Sequence, residues 1–523
     1  MQPKQCIAII DSIKAYAKQN PTEAQVYEDW FQAVVNLRDA LPQDKRFDAY
    51  KYSGELRSVC AAMMGKMKTG EDVAKVYDII GRTYLFEAKD VFDSYCIYLE
   101  WNRAPEKKFY QPRRRILHTL VNDLEDLFFH RVDFLGISMA PRTGKSTLCI
   151  FFITWLMGNR PDVASVMSGH SDKLTNGFYG EVLSIITDPV TYNWGKIFPD
   201  VQLVDKSAKD ESVDLNRKKR FPTLTCRSIG GTLTGAVEIG EGGVLYSDDL
   251  IEDLEESLNV ERLNNKYDAY LNQLKDRKKQ GALELMVGTR WNVLDPLGRI
   301  QNQYADNPKY RFRVIPAVDE NGHSNFNYDY GVGFDDAYYA DMKASIDDAT
   351  WWAKYMGKPY VREGLLFPAD ELRYFNGVLP DGEPDRKLMV MDIAWGGGDF
   401  TACPIAYVYG DAVFIPDLVF NNGDKTVTRP EVVGKIIQHK INVVRGEANN
   451  GGDEYCDVVD SQLRQQGYHC SVRSQRAPSG QSKLSRIIQY APDIKRFYFL
   501  DEKHQSKAVS YTHLRAHETE ADL

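Results

Sequence analysis

The sequence predicts a layered α/β protein with a helical leading section. Three features of its texture carry that expectation. The first hundred residues place apolar side chains at helical spacing, and from about residue 130 short apolar runs alternate with helical stretches. Across 359–387 glycines and prolines thicken and periodicity fades, before a second strand-rich unit begins.

In "AQVYEDWFQAVVNLRDAL" the side chains of Val26, Trp30, Val34 and Leu37 share one face, and similar patterns run from Tyr50 to Tyr98. Such stripes are read as core packing. Val132 to Ser138 reads as a strand, Ser146 to Met157 as a helix closed by Gly158, and "GGVLYSDDL" (242–250) as a strand ending in adjacent carboxylates. Beyond the break, "KLMVMDIAW" is a strand ending near Asp392, and 401–420 is two strands joined at a Gly410-Asp411 turn. Pro430 to Lys440 reads as a helix with its proline at the start. "INVVRGEANNGG" is a strand ending at Glu447, Asp453 to Gln466 a helix closed by Gly467, and "YHCSVRS" a further strand.

A length of 523 residues implies several domains. No charged-then-apolar leader opens the chain, and no apolar run approaches the roughly 20 residues that span a bilayer, so a soluble protein without membrane partners is expected. The eight cysteines are scattered with no C-x-x-C pair, which points to reduced thiols rather than structural zinc. The net charge of -9 does not advertise a nucleic-acid partner, although local patches decide that. Three basic clusters, Arg113-Arg114-Arg115, Arg217 to Arg220 and Lys275 to Lys279, read on charge alone as solvated surface.

"MAPRTGKST" (139–147) sits between the first strand and its helix, the context of a phosphate-binding loop, with Met139 where G-x-x-x-x-G-K-[ST] has its first glycine. Backbone N–H groups and the helix N-terminus would face phosphates, Lys145 would reach the β/γ oxygens, and Ser146 would hold Mg²⁺. Asp248 would share that Mg²⁺ while Asp249 polarises the attacking water; the bland alternative is a DD pair capping the next helix.

The succession "APRTGKST", "GGTLTG" (230–235), "VLYSDDL" and "GTRWNVLDPLGR" (288–299) resembles the large terminase subunit of tailed bacteriophages, whose loop tolerates loss of the first glycine. The resemblance implies that Pro141, Arg142, Thr143, Gly144, Lys145, Ser146 and Thr147 bind ATP, with Arg142 acting on the γ-phosphate. It implies that Thr289 and Arg290 couple hydrolysis to movement and that Gln111 contacts adenine. "WAKYMGKPYVREGLLF" (352–367) resembles the segment joining the family's ATPase and nuclease domains.

Past that segment the order is strand, strand, strand, helix, strand, helix, that of a ribonuclease H-like fold, whose first and fourth strands lie side by side. Asp392 and Glu447 would then converge, and two Mg²⁺ or Mn²⁺ ions between them could cut a phosphodiester; the dull alternative is surface acids. By resemblance Asp399 is a further metal ligand, and Lys483 and Arg486 contact the DNA backbone. The family's last acidic ligand has no clear counterpart, since Asp501 follows its strand too soon. Residues 509–523 lack periodicity and resemble a translated sequencing adapter (VSYTHLRAHET), so native sequence is expected to stop near Ala508.

The expected architecture is therefore α/β: a helical extension (1–104), a P-loop (ASCE-type) ATPase domain (105–362), a truncated ribonuclease H-like nuclease domain (363–508) and an adapter-derived tail (509–523). The resemblance implies a motor that uses ATP to drive double-stranded DNA into a procapsid and cuts concatemers, with the nuclease site expected to be incomplete, and so inactive, in the truncated chain. Its partners would be the portal protein, the small terminase subunit and further copies in a ring. Its place would be the host cytoplasm, transiently docked on the procapsid. A helicase-like translocase with attached nuclease, or a non-catalytic capsid-associated module, are the alternatives.

Overall fold

The computed structural model describes residues 2–231, 237–360, 367, 371–394, 400–448, 452–476, 483–501, 503 and 504. The chain is mixed α/β and divides into two compact units, Met1–Asp341 with Thr350–Tyr360, and Met342–Ala349 with Val361–Leu523. No helix among the described residues is long and apolar enough to cross a membrane.

Unit 1 begins with the helices Pro3–Gln19, Ala24–Ala40, Asp48–Met64 and Gly70–Glu87. Their shared core includes Tyr27, Trp30, Val34, Leu37, Leu56 and Ile79. These helices belong to the same unit as the sheet that follows. The segment from Ala88 through the helix Phe92–Leu99 carries the join: the Tyr95 hydroxyl lies 2.8 Å from Thr154 Oγ1, and Trp155 Nε1 donates to the Ala88 carbonyl at 2.9 Å.

Eight strands of unit 1 form one sheet: β1 (Phe134–Met139), β2 (Ser165–Gly169), β3 (Leu203–Ser207), β4 (Ser212–Leu215), β5 (Leu224–Ser228), β6 (Val244–Asp248), β7 (Leu283–Gly288) and β8 (Tyr310–Ile315). Their order is β3-β4-β5-β2-β6-β7-β1-β8, parallel from β5 to β8. Every residue of β1, β2 and β6 is buried. That explains why these strands read as apolar runs and not as alternation, since helices cover both faces of a parallel sheet. Edge strand β8 is clamped from the helix Tyr110–Phe128. Buried Asp123 accepts from Arg311 Nη1 at 2.9 Å and from Arg313 Nε at 2.7 Å and Nη2 at 2.9 Å.

Unit 2 holds β9 (Arg373–Phe375), β10 (Arg386–Met391), β11 (Thr401–Tyr409), β12 (Ala412–Asn421), β13 (Val443–Glu447), β14 (Ser471–Gln475) and β15 (Tyr498–Leu500), ordered β14-β13-β10-β11-β12-β15-β9. Strands β10, β11 and β12 are antiparallel neighbours, and β13 pairs parallel with β10. The β11–β12 turn is Gly410-Asp411, with Gly410 at φ +57° as a two-residue hairpin requires. One helix starts earlier than the sequence suggests. It runs Lys425–His439 with Pro430 inside, because the Asp424 carboxylate accepts from the Thr426 N–H at 2.7 Å and caps the helix well upstream of the proline.

The β8 clamp yields a first expectation. Asp123→Ala leaves two arginines without their shared carboxylate and should cost about 2 kcal/mol, given that both guanidiniums are partly solvated. Thermal unfolding of the full chain reads this out, whereas Asp126→Ala, at a more exposed acid touching Arg311, should cost less.

Candidate functional site

The turn between β1 and the helix Lys145–Asn159 contains two left-handed residues, Arg142 at φ +61° and Gly144 at φ +100°. Glycine is needed at 144 twice over, because a Cβ there would also stand 2.8 Å from the Phe109 ring. Thr143 Oγ1 closes the turn on the Ala140 carbonyl at 2.6 Å. Backbone N–H groups of such a turn, with the helix N-terminus behind them, make an anion-binding concavity. Met139 is still strand: it is buried and paired in register with Ile315, so the turn begins after it.

A cavity of about 510 Å³ opens over this turn, walled by Pro141, Arg142, Gly144, Lys145, Ser146 and Thr147 on one side and by Asp249 and Thr289 on the other. Lys145 Nζ lies 2.8 Å from Thr289 Oγ1 and 3.0 Å from Asp249 Oδ2. Asp249 is itself left-handed at φ +41°, and three contacts hold it there. Its N–H donates to the Val287 carbonyl at 2.9 Å, its carboxylate accepts from the Thr289 N–H at 2.7 Å, and its carbonyl accepts from His170 Nδ1 at 2.8 Å. A carbonyl cannot donate, so Nδ1 carries the His170 proton.

Asp248, the last residue of β6, is buried, and neither carboxylate oxygen makes a hydrogen bond of good geometry among the described residues, although the Ser146 and Tyr246 hydroxyls lie close to it. Burial first, and then the Asp249 charge, push its pKa up to about 6. Lys145 and the nearby hydroxyls of Ser146 and Tyr246 oppose that shift. A buried carboxylate near Ser146 offers the oxygen donors that a divalent cation takes, although the described residues contain no group of three or more His, Cys, Asp or Glu side chains that could hold a metal ion.

The remaining expected residues are placed less uniformly. Thr143 is buried in the turn and serves it through its side chain. Gln111 lies on an exposed part of the helix Tyr110–Phe128 and does not wall the cavity; Phe109 and Arg113 of the same region do. Arg290 is buried and occupied: its Nε contacts both Asp295 oxygens at 3.1 and 2.9 Å, and its Nη1 donates to Gln301 at 3.1 Å. Asp295 also caps the helix Pro296–Gln303, so Arg290 shapes the turn after β7.

His170, Trp291 and Lys354 also wall the cavity and escape the sequence reading. The motif "TRW" contained the signal for Trp291; none marked His170 or Lys354, which reach the site by chain folding alone. The basic run at 217–219 is neutralised locally, Arg217 by Asp162, Lys218 by Asp205 and Lys219 by Asp214.

In unit 2, Asp392 and Glu447 each follow directly on the last registered pair of β10 and β13, Met391 with Gly446. Parallel strands therefore bring both carboxylates to one edge. The join is tight, since a Cβ on Gly446 would meet Cys456 Sγ at 2.4 Å and one on Gly452 the Glu447 carbonyl at 1.8 Å. Asp501 follows β15, three strands from β10 and so about 14 Å across the sheet, and it pairs with His504. Asp399, residues 232–235 of the "GGTLTG" stretch and residues 509–523 lie outside the described residues. Lys483 and Arg486 belong to the helix Lys483–Ile494, their side chains likewise outside the description.

No family model matches the chain, and no curated protein does. Among solved structures it is similar to the large terminase of a thermophilic bacteriophage in complex with ADP, at 13% identity over 72% of this chain and 87% of that one, with a TM-score of 0.36. It is similar to the HK97 bacteriophage large terminase at 11% identity, over 72% and 84% of the two chains, with a TM-score of 0.33. A Thermus phage P74-26 large terminase ATPase domain mutant matches at 12% identity over 45% of this chain and 93% of that one, with a TM-score of 0.28.

The state of Asp248 has a measurable consequence. Its native pKa near 6 exceeds the ordinary value of 3.8, so the native state holds the proton more tightly, and stability falls as pH rises through that window. Asp248→Asn should raise the melting temperature of nucleotide- and metal-free protein at about pH 7.5 and leave it unchanged near pH 3.5. Equal melting at both pH values would show that the carboxylate is compensated.

Proposed function

We propose that the chain is an ATP-driven DNA-packaging motor of the large terminase kind, with a metal-dependent nuclease in its second unit. The observation that carries the motor reading is the junction of Lys145, Asp249 and Thr289 in the wall of the cavity over the turn, with buried Asp248 next in sequence to Asp249. One strand, β7, stands between the strand bearing the loop and the strand bearing the acids, the arrangement of ASCE-type P-loop ATPases.

The chain's own residues can do the following. The turn 140–144 binds the triphosphate through backbone N–H groups, and Lys145 turns from Asp249 toward the β and γ oxygens. Asp249, released from Lys145 but still fixed by the Thr289 N–H, accepts a proton from the attacking water. Ser146 and Asp248 hold Mg²⁺. Exposed Arg142 at the cavity wall adds charge to the γ-phosphate, and Thr289, hydrogen-bonded to Lys145, registers whether the lysine is engaged. Phe109 and Arg113 offer a flat apolar and cationic wall for the base, a role their position suits better than that of Gln111.

In unit 2 the strand order and the neighbouring carboxylates of Asp392 and Glu447 support a ribonuclease H-like nuclease. Divalent cations there, and Mg²⁺ in unit 1, would supply charge neutralisation for phosphoryl chemistry. Asp399 as a further ligand, Lys483 and Arg486 as DNA contacts, and Arg290 as a coupling element through the turn it shapes complete the reading. The proposed substrate is double-stranded DNA; the proposed partners are a portal protein, a small terminase subunit and further copies in a ring, met in the host cytoplasm on a procapsid.

DNA-stimulated ATP hydrolysis tests the motor, and Lys145→Ala should lower it at least about 100-fold. No hydrolysis by the unaltered chain would favour a non-catalytic nucleotide-binding module. Cleavage of plasmid DNA in Mn²⁺ tests the nuclease separately. Asp392→Ala should abolish any cutting while leaving hydrolysis within about twofold, because the two carboxylate sets lie in different units; loss of both activities would overturn the two-site reading.

A further inference from the structure

Lys354 stands in the wall of the nucleotide cavity without an anion of its own. It belongs to the stretch Trp351–Tyr355, whose flanking rings are buried and stacked at 5.1 Å between centroids. The stretch is pinned to unit 1 by the Ala317 N–H, which donates to the Tyr355 carbonyl at 2.8 Å. Gly357 just beyond, at φ +65°, fits only as glycine, since a Cβ would meet Val314 Cγ1 at 2.5 Å. The lysine is thus delivered by a fixed backbone. Its Nζ rests 4.8 Å from the centre of the Trp291 ring, another wall residue, on the side of the cavity where β7 ends.

Its charged surroundings are mostly of its own sign. Lys145 and Arg142 both act on it, and the nearby carboxylate, Asp249, is already paired with Lys145. Lys354 makes no ion pair among the described residues. Burial, followed by the Lys145 charge, holds its ammonium below the ordinary lysine range. A partly buried ammonium facing two other cations is costly unless an anion arrives between them. Lys145, Arg142 and Lys354 line one cavity with two carboxylates, Asp249 and Glu252, and that excess of positive charge suits the most highly charged part of a nucleotide, its terminal phosphate.

We propose that Lys354 is a further cation of the nucleotide site, positioned by Trp291 to bind the terminal phosphate and so make the cavity favour a nucleoside triphosphate over a diphosphate. The proposal rests on the nucleotide reading above and adds to it the discrimination between the two nucleotides. It also makes that discrimination depend on the last segment of unit 1 before the chain passes into unit 2 at Val361.

Calorimetric binding of ATP-γ-S and of ADP, each with Mg²⁺, to the full chain tests it. The unaltered chain, Lys354→Met (which keeps the packing on Trp291) and Lys354→Arg are compared after their melting curves are matched. Lys354→Met should weaken ATP-γ-S binding about tenfold or more and ADP binding less than about twofold, and Lys354→Arg should restore most of the difference. An unchanged ratio of the two affinities in Lys354→Met, whether both weaken equally or neither does, overturns the proposal while leaving the nucleotide site standing. Failure of the unaltered chain to bind either nucleotide overturns the nucleotide reading and this inference with it.

Discussion

The ammonium of Lys145, lying between Asp249 and Thr289, is the contact on which the first unit's geometry turns. It joins three chain segments that are distant in sequence. These can meet because β1, β6 and β7 run parallel and deliver their C-terminal ends to one edge of the sheet. The order β6-β7-β1 places the Thr289 segment between the acids and the loop. Asp249 must leave its strand in a left-handed conformation to face the lysine, and the Val287 carbonyl, the Thr289 N–H and His170 supply the hold that a non-glycine residue needs there.

Around that contact the electrostatics are left unfinished. Asp248 is a buried carboxylate with no hydrogen bond of good geometry, and Lys354 is an ammonium without an ion pair, among the described residues. Each raises the free energy of the protein alone, and each carries the charge that a cation-bound polyphosphate would answer. Folding strength must come from elsewhere. The Asp123 clamp on β8 and the hold on Trp155 by the Ala88 carbonyl and the Phe92 ring brace the sheet whose edge carries the site.

The unit 2 arrangement follows the same rule with a different sheet. Parallel pairing of β10 with β13 across a helical crossover sets Asp392 beside Glu447, whereas Asp501, three strands away, is kept apart by the width of the sheet. Gly446 and Gly452 let the helix after β13 approach closely enough to complete that edge.

Much of this was legible in the chain before any folding. Apolar runs located β1 and β6, because buried parallel strands need no alternation, and also β10 and β13, which are only partly buried; the carboxylates and the Gly-Lys-Ser turn sit at strand ends by local order. Pro430 misled because the capping carboxylate of Asp424 outweighed one missing N–H. Gln111 and Arg290 were chosen by motif position, yet exposure leaves the first outside the cavity wall and the Asp295 clasp engages the second. What the sequence by itself determined is the set of local devices: strand ends bearing acids, a turn able to bind anions, helices with one apolar face. Which of them face one another was decided only by strand order and by the return of residues 350–360 to the first unit, since no sequence period records that Lys354 comes to rest on Trp291.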